Sequence, residues 1–203
     1  MGRGSGGTRV GMPVGDGTYK GEIKNVEDLV AIKNRQLYKK VGEAISRYHS
    51  VLGVRERNVK LAELSGRTNG VHATGSDGTS QGIFLNSKLY KNGTVESITQ
   101  RARDAYKSGW STDTNKPVAH TVTHELAHAT WNNKLSSKNA QAATKDIRSL
   151  YLSWRKDKNK KGYGEYAKTN INEFWAEVTT KAVHGTPDKY TRAVKDIVKK
   201  YKL

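Results

Sequence analysis

The segment from Pro117 to Asn132, PVAHTVTHELAHATWN, sets the tightest limit on what this chain can become. Val118, Val122, Leu126 and Ala129 recur at three- and four-residue spacing, which predicts a helix with that stripe toward a core. Pro117 suits its first turn, where a fixed φ helps and a missing N–H is not needed. The same helix carries His124, Glu125 and His128. Positions four apart share a helix face, so both imidazoles can reach one ion, with Glu125 placed to take a proton from a bound water. An HExxH pattern arises by accident in a chain of this size about one time in a hundred. It therefore needs a third ligand before it outweighs a solvated face bearing two unrelated histidines.

Composition narrows the choice of that ligand. Among 203 residues there is no cysteine, which excludes a disulfide scaffold, a thiolate zinc finger, an iron–sulfur site and a thiol nucleophile. Any metal site must use His, Asp and Glu. A credible partner lies downstream in YAKTNINEFWAE (166–177), where Glu173 and Glu177 sit four apart near a helix start. Phe174, Trp175, Ala176 and Val178 surround them, so this helix start reads as largely buried, and buried carboxylates need partners. Glu173 can complete a triad with His124 and His128, the three-protein-ligand set of a catalytic Zn2+. Glu177, one turn on, can accept the remaining N–H of a ligating histidine and fix its tautomer.

HELAH followed by YAKTNINEFWAE resembles the gluzincin zinc metallopeptidases, whose third ligand is a Glu on a separate helix. The pattern is similar to the catalytic domain of anthrax lethal factor, and to metallopeptidase domains of phage head-morphogenesis proteins and secreted toxins. Tyr166, Thr169, Asn170, Glu173, Phe174, Ala176 and Glu177 match without a gap; Ala167 departs from the glycine of that toxin. The resemblance covers about 20 residues. It implies a zincin-like fold, His124, His128 and Glu173 as zinc ligands, Glu125 as general base, Glu177 behind the ligands, and Tyr166 as a hydrogen-bond donor to the transition state. Tyr163 is the rival for that last role; the seven-residue spacing of Tyr166 to Glu173 favours Tyr166.

The rest of the chain reads as an α+β domain. Residues 1–25, with eight glycines in the first 21 positions, suggest a mobile arm, and 26–203 one domain. Val30, Leu37, Val41, Ile45, Tyr48 and Leu52 predict a helix over Val26–Leu52. Residues 57–64, 70–74 and 82–86 read as strands of a small sheet, and 82–86 (GIFLN) is either an ordinary core strand or similar to the edge strand that lines zincin clefts. Further helices are expected over Val95–Lys107 with Thr94 as N-cap, over 137–158, from Asn170 to about Val183, and over 188–202. His49, His72, His120 and His184 are read as surface or satisfied core histidines without ligand spacing.

Charge points elsewhere. With 36 Lys+Arg against 19 Asp+Glu the net charge is +17, which favours non-specific contact with nucleic acid. The basic run 155–161 (RKDKNKK) is either a solvated loop or a device near the cleft mouth that favours acidic substrates. No apolar stretch approaches the ~18 residues needed to span a bilayer, and the N-terminus lacks the apolar core of a signal peptide. The expectation is a zinc endopeptidase acting on a protein or peptide, cytoplasmic or virion-associated, with no membrane partner. The alternatives are a virion or nucleic-acid-associated protein that keeps the fold, or a toxin effector protease delivered by a non-classical route.

Overall fold

The computed structural model describes residues 23–54, 58–64, 68–75, 79–136 and 138–203. Among these the architecture is α+β: seven helices and a small mixed sheet of four strands. Strands β1 (Lys24–Asp28), β2 (Val59–Glu63), β3 (Gly70–Thr74) and β4 (Ser80–Asn86) lie in the order β1-β2-β4-β3. β2 and β4 are parallel; β1 and β3 run antiparallel to their neighbours along the two edges. The helices are α1 (Arg35–Leu52), the single turn α2 (Ser87–Tyr90), α3 (Val95–Lys107), α4 (Ala119–Ser136), α5 (Ala140–Lys156), α6 (Ile171–His184) and α7 (Lys189–Tyr201). No described helix is long and apolar enough to cross a membrane.

Helix limits follow local chemistry. Asn34 caps α1 by accepting the Leu37 N–H at 2.9 Å, and Gly53 closes it in the left-handed region at φ 74°. The expected start at Val26 is corrected by this cap. Residues 24–28 pair with β2 instead, a 3-10 turn follows over Leu29–Ala31, and Val30 is 76% exposed rather than part of the buried stripe. The expected arm likewise ends earlier than residue 25, because Lys24 and Asn25 belong to β1; residues 1–22 lie outside the described residues. α3 begins as expected, with Thr94 and Ser97 forming a reciprocal capping box, and Asp188 and Thr191 do the same for α7. Asn170 caps α6 by accepting from the N–H groups of Asn172 and Glu173.

The sheet alternates as its period of two demands. Leu61, Ile83 and Leu85 face the main core shared with the helices, while Ala62, Leu64, Val71, Ala73 and Phe84 form a small cluster on the opposite face. β4 is interior, between β2 and β3, which decides between its two readings in favour of the ordinary core strand. The edge beside α4 is β3. Its residue Gly70 passes so close that an added Cβ would lie 2.9 Å from Thr121 Cγ2 and 3.3 Å from Glu125 Cγ.

α4 is the central rod. From Val122 to Thr130 every side chain is buried, so over this stretch the helix has no solvent face to hold its polar residues. The Tyr48 hydroxyl donates to the Leu126 carbonyl at 3.2 Å, and the Trp175 indole N–H donates to the Ala127 carbonyl at 3.0 Å. These bonds, from α1 and α6, fix the rotation of α4 about its axis.

Candidate metal centre

Two buried helices bring the expected ligands together. α4 supplies His124 and His128 from adjacent turns, and α6, packed across it, supplies Glu173 from its first turn. Glu173 Oε2 lies 3.0 Å from His124 Nε2 and 3.4 Å from His128 Nε2, and the two Nε2 atoms are 3.1 Å apart. Tetrahedral bonds of about 2.0–2.1 Å to one ion place donor atoms about 3.3 Å from one another. The observed triangle matches that spacing. Glu173 Oε1, moreover, is buried without a hydrogen-bond partner among the described residues.

Charge balance points the same way. Glu125, Glu173 and Glu177 are 7%, 1% and 0% exposed and occupy one small region. Three buried carboxylates require cationic compensation. In the metal-free protein it falls on histidine: burial disfavours charge on His124, but Glu173 and Glu177 outweigh burial and hold its pKa well above the ordinary value. Burial likewise pushes against ionisation of Glu173, yet His128 and His124 bring that carboxyl down to about 2. A divalent ion held by His124, His128 and Glu173 would supply that positive charge in place of the proton.

Glu177 stands behind the ligands. It accepts the His124 Nδ1–H at 2.9 Å, the His120 Nε2–H at 3.2 Å and the Thr112 backbone N–H at 2.6 Å. The first bond keeps a proton on His124 Nδ1 and aims Nε2 at Glu173 and His128, so Nε2 is the nitrogen that would ligate an ion once its own proton is displaced. His120, His124 and Glu177 form a second buried group with metal-ligand spacing. Its carboxylate, however, is already occupied by donors, one of them a backbone N–H that cannot ligate a metal. His120 is a buried core histidine with a partner, as expected, but its lack of ligand spacing is corrected. It lies four residues before His124, so the spacing was present as HxxxHExxH, one turn longer than the motif that drew attention.

Glu125 points toward β3. Burial raises its pKa, the neighbouring His124 and His128 oppose that rise, and the His72 backbone N–H interacts with it. Its Oε2 atom has no partner. A carboxylate so placed has a free lone pair and a raised proton affinity, the properties of a general base.

The two tyrosine candidates separate cleanly. Tyr166 stacks on His124, ring centroids 5.4 Å apart at 9°, and on Trp110 at 5.1 Å and 22°. Burial first, then Glu173 and Glu125, raise its pKa well above the ordinary value, so it keeps its proton as a donor. Tyr163 instead donates to Asp188 at 2.8 Å and lies under the Lys181 ammonium. The turn that carries Tyr166, a 3-10 segment over Glu165–Lys168, is tied down by Glu165 N–H to the Gly109 carbonyl and Tyr166 N–H to the Trp110 carbonyl. Only glycine fits before it, since a Cβ on Gly164 would lie 2.2 Å from the Trp110 oxygen.

The other histidines have ordinary partners. His72 Nε2 is 3.0 Å from Ser80 Oγ, and His184 Nε2 is 2.9 Å from Thr123 Oγ1. The basic run 155–161 closes α5 and continues as a loop in which Asp157 pairs with Lys189 and Tyr190 and Lys160 covers Trp154, while Arg155 donates to the Lys168 carbonyl at the end of the turn that carries Tyr166. Compared with known proteins, the chain matches no family model, no curated protein and no solved structure.

Proposed function

We propose that this chain is a zinc-dependent peptidase of zincin-like fold, with His124, His128 and Glu173 holding the ion and Glu125 as general base. The observation that carries this reading is the buried triangle of His124 Nε2, His128 Nε2 and Glu173 Oε2, no side longer than 3.4 Å, with an unpartnered Glu125 oxygen on the same helix. The donor set, two neutral imidazoles and one carboxylate, is that of a catalytic zinc site with an open fourth position. When bound, zinc supplies a Lewis acid and lowers the pKa of water to ~7.

The chain's own groups supply the rest. Glu125 accepts the proton of the attacking water and passes it to the leaving amine. The Tyr166 hydroxyl donates to the oxygen that gains charge in the transition state. Glu177 holds His124 in register, and His120 and Thr112 hold Glu177. β3, an edge strand crossing α4 at Gly70, offers a backbone along which an extended peptide can lie as an added strand.

Glu125→Gln tests the mechanism. The variant is expected to retain about one zinc per chain and lose about 10²–10⁴-fold in peptide hydrolysis. Unchanged hydrolysis would refute the role of Glu125, and purified protein that takes up no zinc would refute the site itself.

A second reading, a nucleic-acid-associated or virion protein that keeps this fold, is favoured by the net charge of +17. DNA binding with a steep salt dependence and no cleavage across a peptide library would support it over a peptidase.

A further inference from the structure

A cavity of about 600 Å³ lies apart from the metal centre, where α1, α3, the segment leading into α4 and the end of α6 meet. Four cations line it: Lys40 and Arg47, two turns apart on α1, Arg103 on α3, and Lys116 before α4. None of the four takes part in an ion pair or hydrogen bond among the described residues. Against these four cations the lining holds a single carboxylate, Glu43, which leaves a surplus of three positive charges; Glu43 itself lies 4.0 Å from Lys39, outside the lining. The positive end of α4 and the negative end of α6 both open here and offset each other. The field is therefore that of the side chains. His184, at the base of the cavity, registers it: burial first, then Arg47, His120 and Lys116, bring its pKa down to about 4.

Unpaired like charges around a concavity repel one another, and this arrangement is relieved by a compact anion carrying several charges. Three further features describe that anion. The volume falls within the ~300–1,000 Å³ range of small-ligand sites. The cations come from three separate elements that line one cavity rather than from a single continuous stretch of chain. Val95, Pro117 and Val183 add apolar lining suited to an uncharged, flat part of the ligand.

We propose that this cavity binds a compact multiply phosphorylated small molecule of the nucleoside di- or triphosphate class, with the phosphates held by Lys40, Arg47, Arg103 and Lys116. The site is independent of the peptidase reading, since none of the metal-binding residues lines it.

The test is calorimetric titration of the full chain with inorganic triphosphate and, separately, with adenosine triphosphate. Saturable binding of one molecule per chain is expected, weakened about tenfold or more in the double variant Arg47→Gln/Lys116→Gln and unchanged in Lys160→Gln/Lys161→Gln. Arg47, Lys116 and Lys161 are exposed and Lys160 is half-buried over Trp154, so an unchanged melting temperature of each variant verifies folding. Tighter binding of the nucleotide than of triphosphate assigns part of the site to the nucleoside; equal binding assigns it to the phosphates alone. The proposal is overturned by three results: no saturable binding at millimolar probe, equal weakening by both double variants, or displacement of triphosphate by a single-stranded oligonucleotide that covers more than the cavity.

Discussion

Two buried groups share His124, and exchanging Glu173 and Glu177 for glutamine one at a time decides which of them can hold an ion. In the first group the carboxylate presents an oxygen 3.0 and 3.4 Å from two Nε2 atoms while its other oxygen is unpartnered; in the second, Glu177 is saturated by three donors. Zinc held by protein ligands is worth roughly 10–16 kcal/mol, so one of three ligands carries about 3–5 kcal/mol. Glu173→Gln should therefore weaken zinc binding by about 10²–10⁴-fold. Glu177→Gln keeps an oxygen for the Thr112 N–H but turns an amide nitrogen toward a histidine donor. Its effect reaches the ion only through the orientation of His124, about 10–100-fold, or ~1.4–2.8 kcal/mol. Competition against a coloured chelator measures both affinities, with circular dichroism to verify folding. The reverse ranking, with Glu177→Gln abolishing uptake and Glu173→Gln close to wild type, would place the ion on His120, His124 and Glu177 and refute the reasoning.

Other consequences are open to direct measurement. Tyr166→Phe keeps the stack on His124 and removes the donor, so kcat should fall about 10²–10³-fold with KM and zinc content unchanged; a change confined to KM would assign Tyr166 to substrate binding instead. Gly70→Ala forces a methyl against Thr121, Leu85 and Glu125 and should cost about 1–3 kcal/mol, read as a melting temperature roughly 3–10 °C lower; an unchanged value would show that β3 and α4 separate freely. His72 is buried with its pKa pushed down to about 3, by burial and then by His128. The unfolded chain takes up that proton below about pH 6.5 and the folded chain does not, so stability falls by about 1.4 kcal/mol per pH unit as pH drops from 6.5 toward 3 and is level above that window. His72→Gln removes this contribution, and urea titrations at pH 6.5 and 5.0 should show a shallower loss; parallel losses in the two proteins would count against it.

Periodicity and capping are properties of a helical turn, and they were legible in the chain itself. Thr94, Asn170 and Asp188 mark helix starts, and the stripes of α3, α5 and α7 lie where their spacing puts them. The convergence of His124, His128 and Glu173 was legible for a related reason. Two candidate ligands sit on adjacent turns of one helix face, and the third sits in an apolar context that leaves a carboxylate no exit to water.

Tertiary structure decided the remainder. Val26–Ala31 has apolar residues at helical spacing, yet β2 offers it a ladder and Asn34 caps the helix later, so pairing overrode periodicity. β4 became interior because β3 folds back along its outer side, a choice of strand order that no local pattern encodes. Tyr163 and Tyr166, three residues apart, were separated by a glycine that lets the Tyr166 turn bind the backbone near Trp110. Glu177 found its partners in Thr112 and His120, contributed by a loop and by a neighbouring helix. The sequence by itself determined which residue types could hold a metal, since a chain without cysteine has only imidazoles and carboxylates to offer a buried zinc. Which atoms meet, and which carboxylate is left with a free oxygen, depended on the packing of α4 against α6, because donor distances near 3 Å are set by contacts between residues some fifty positions apart.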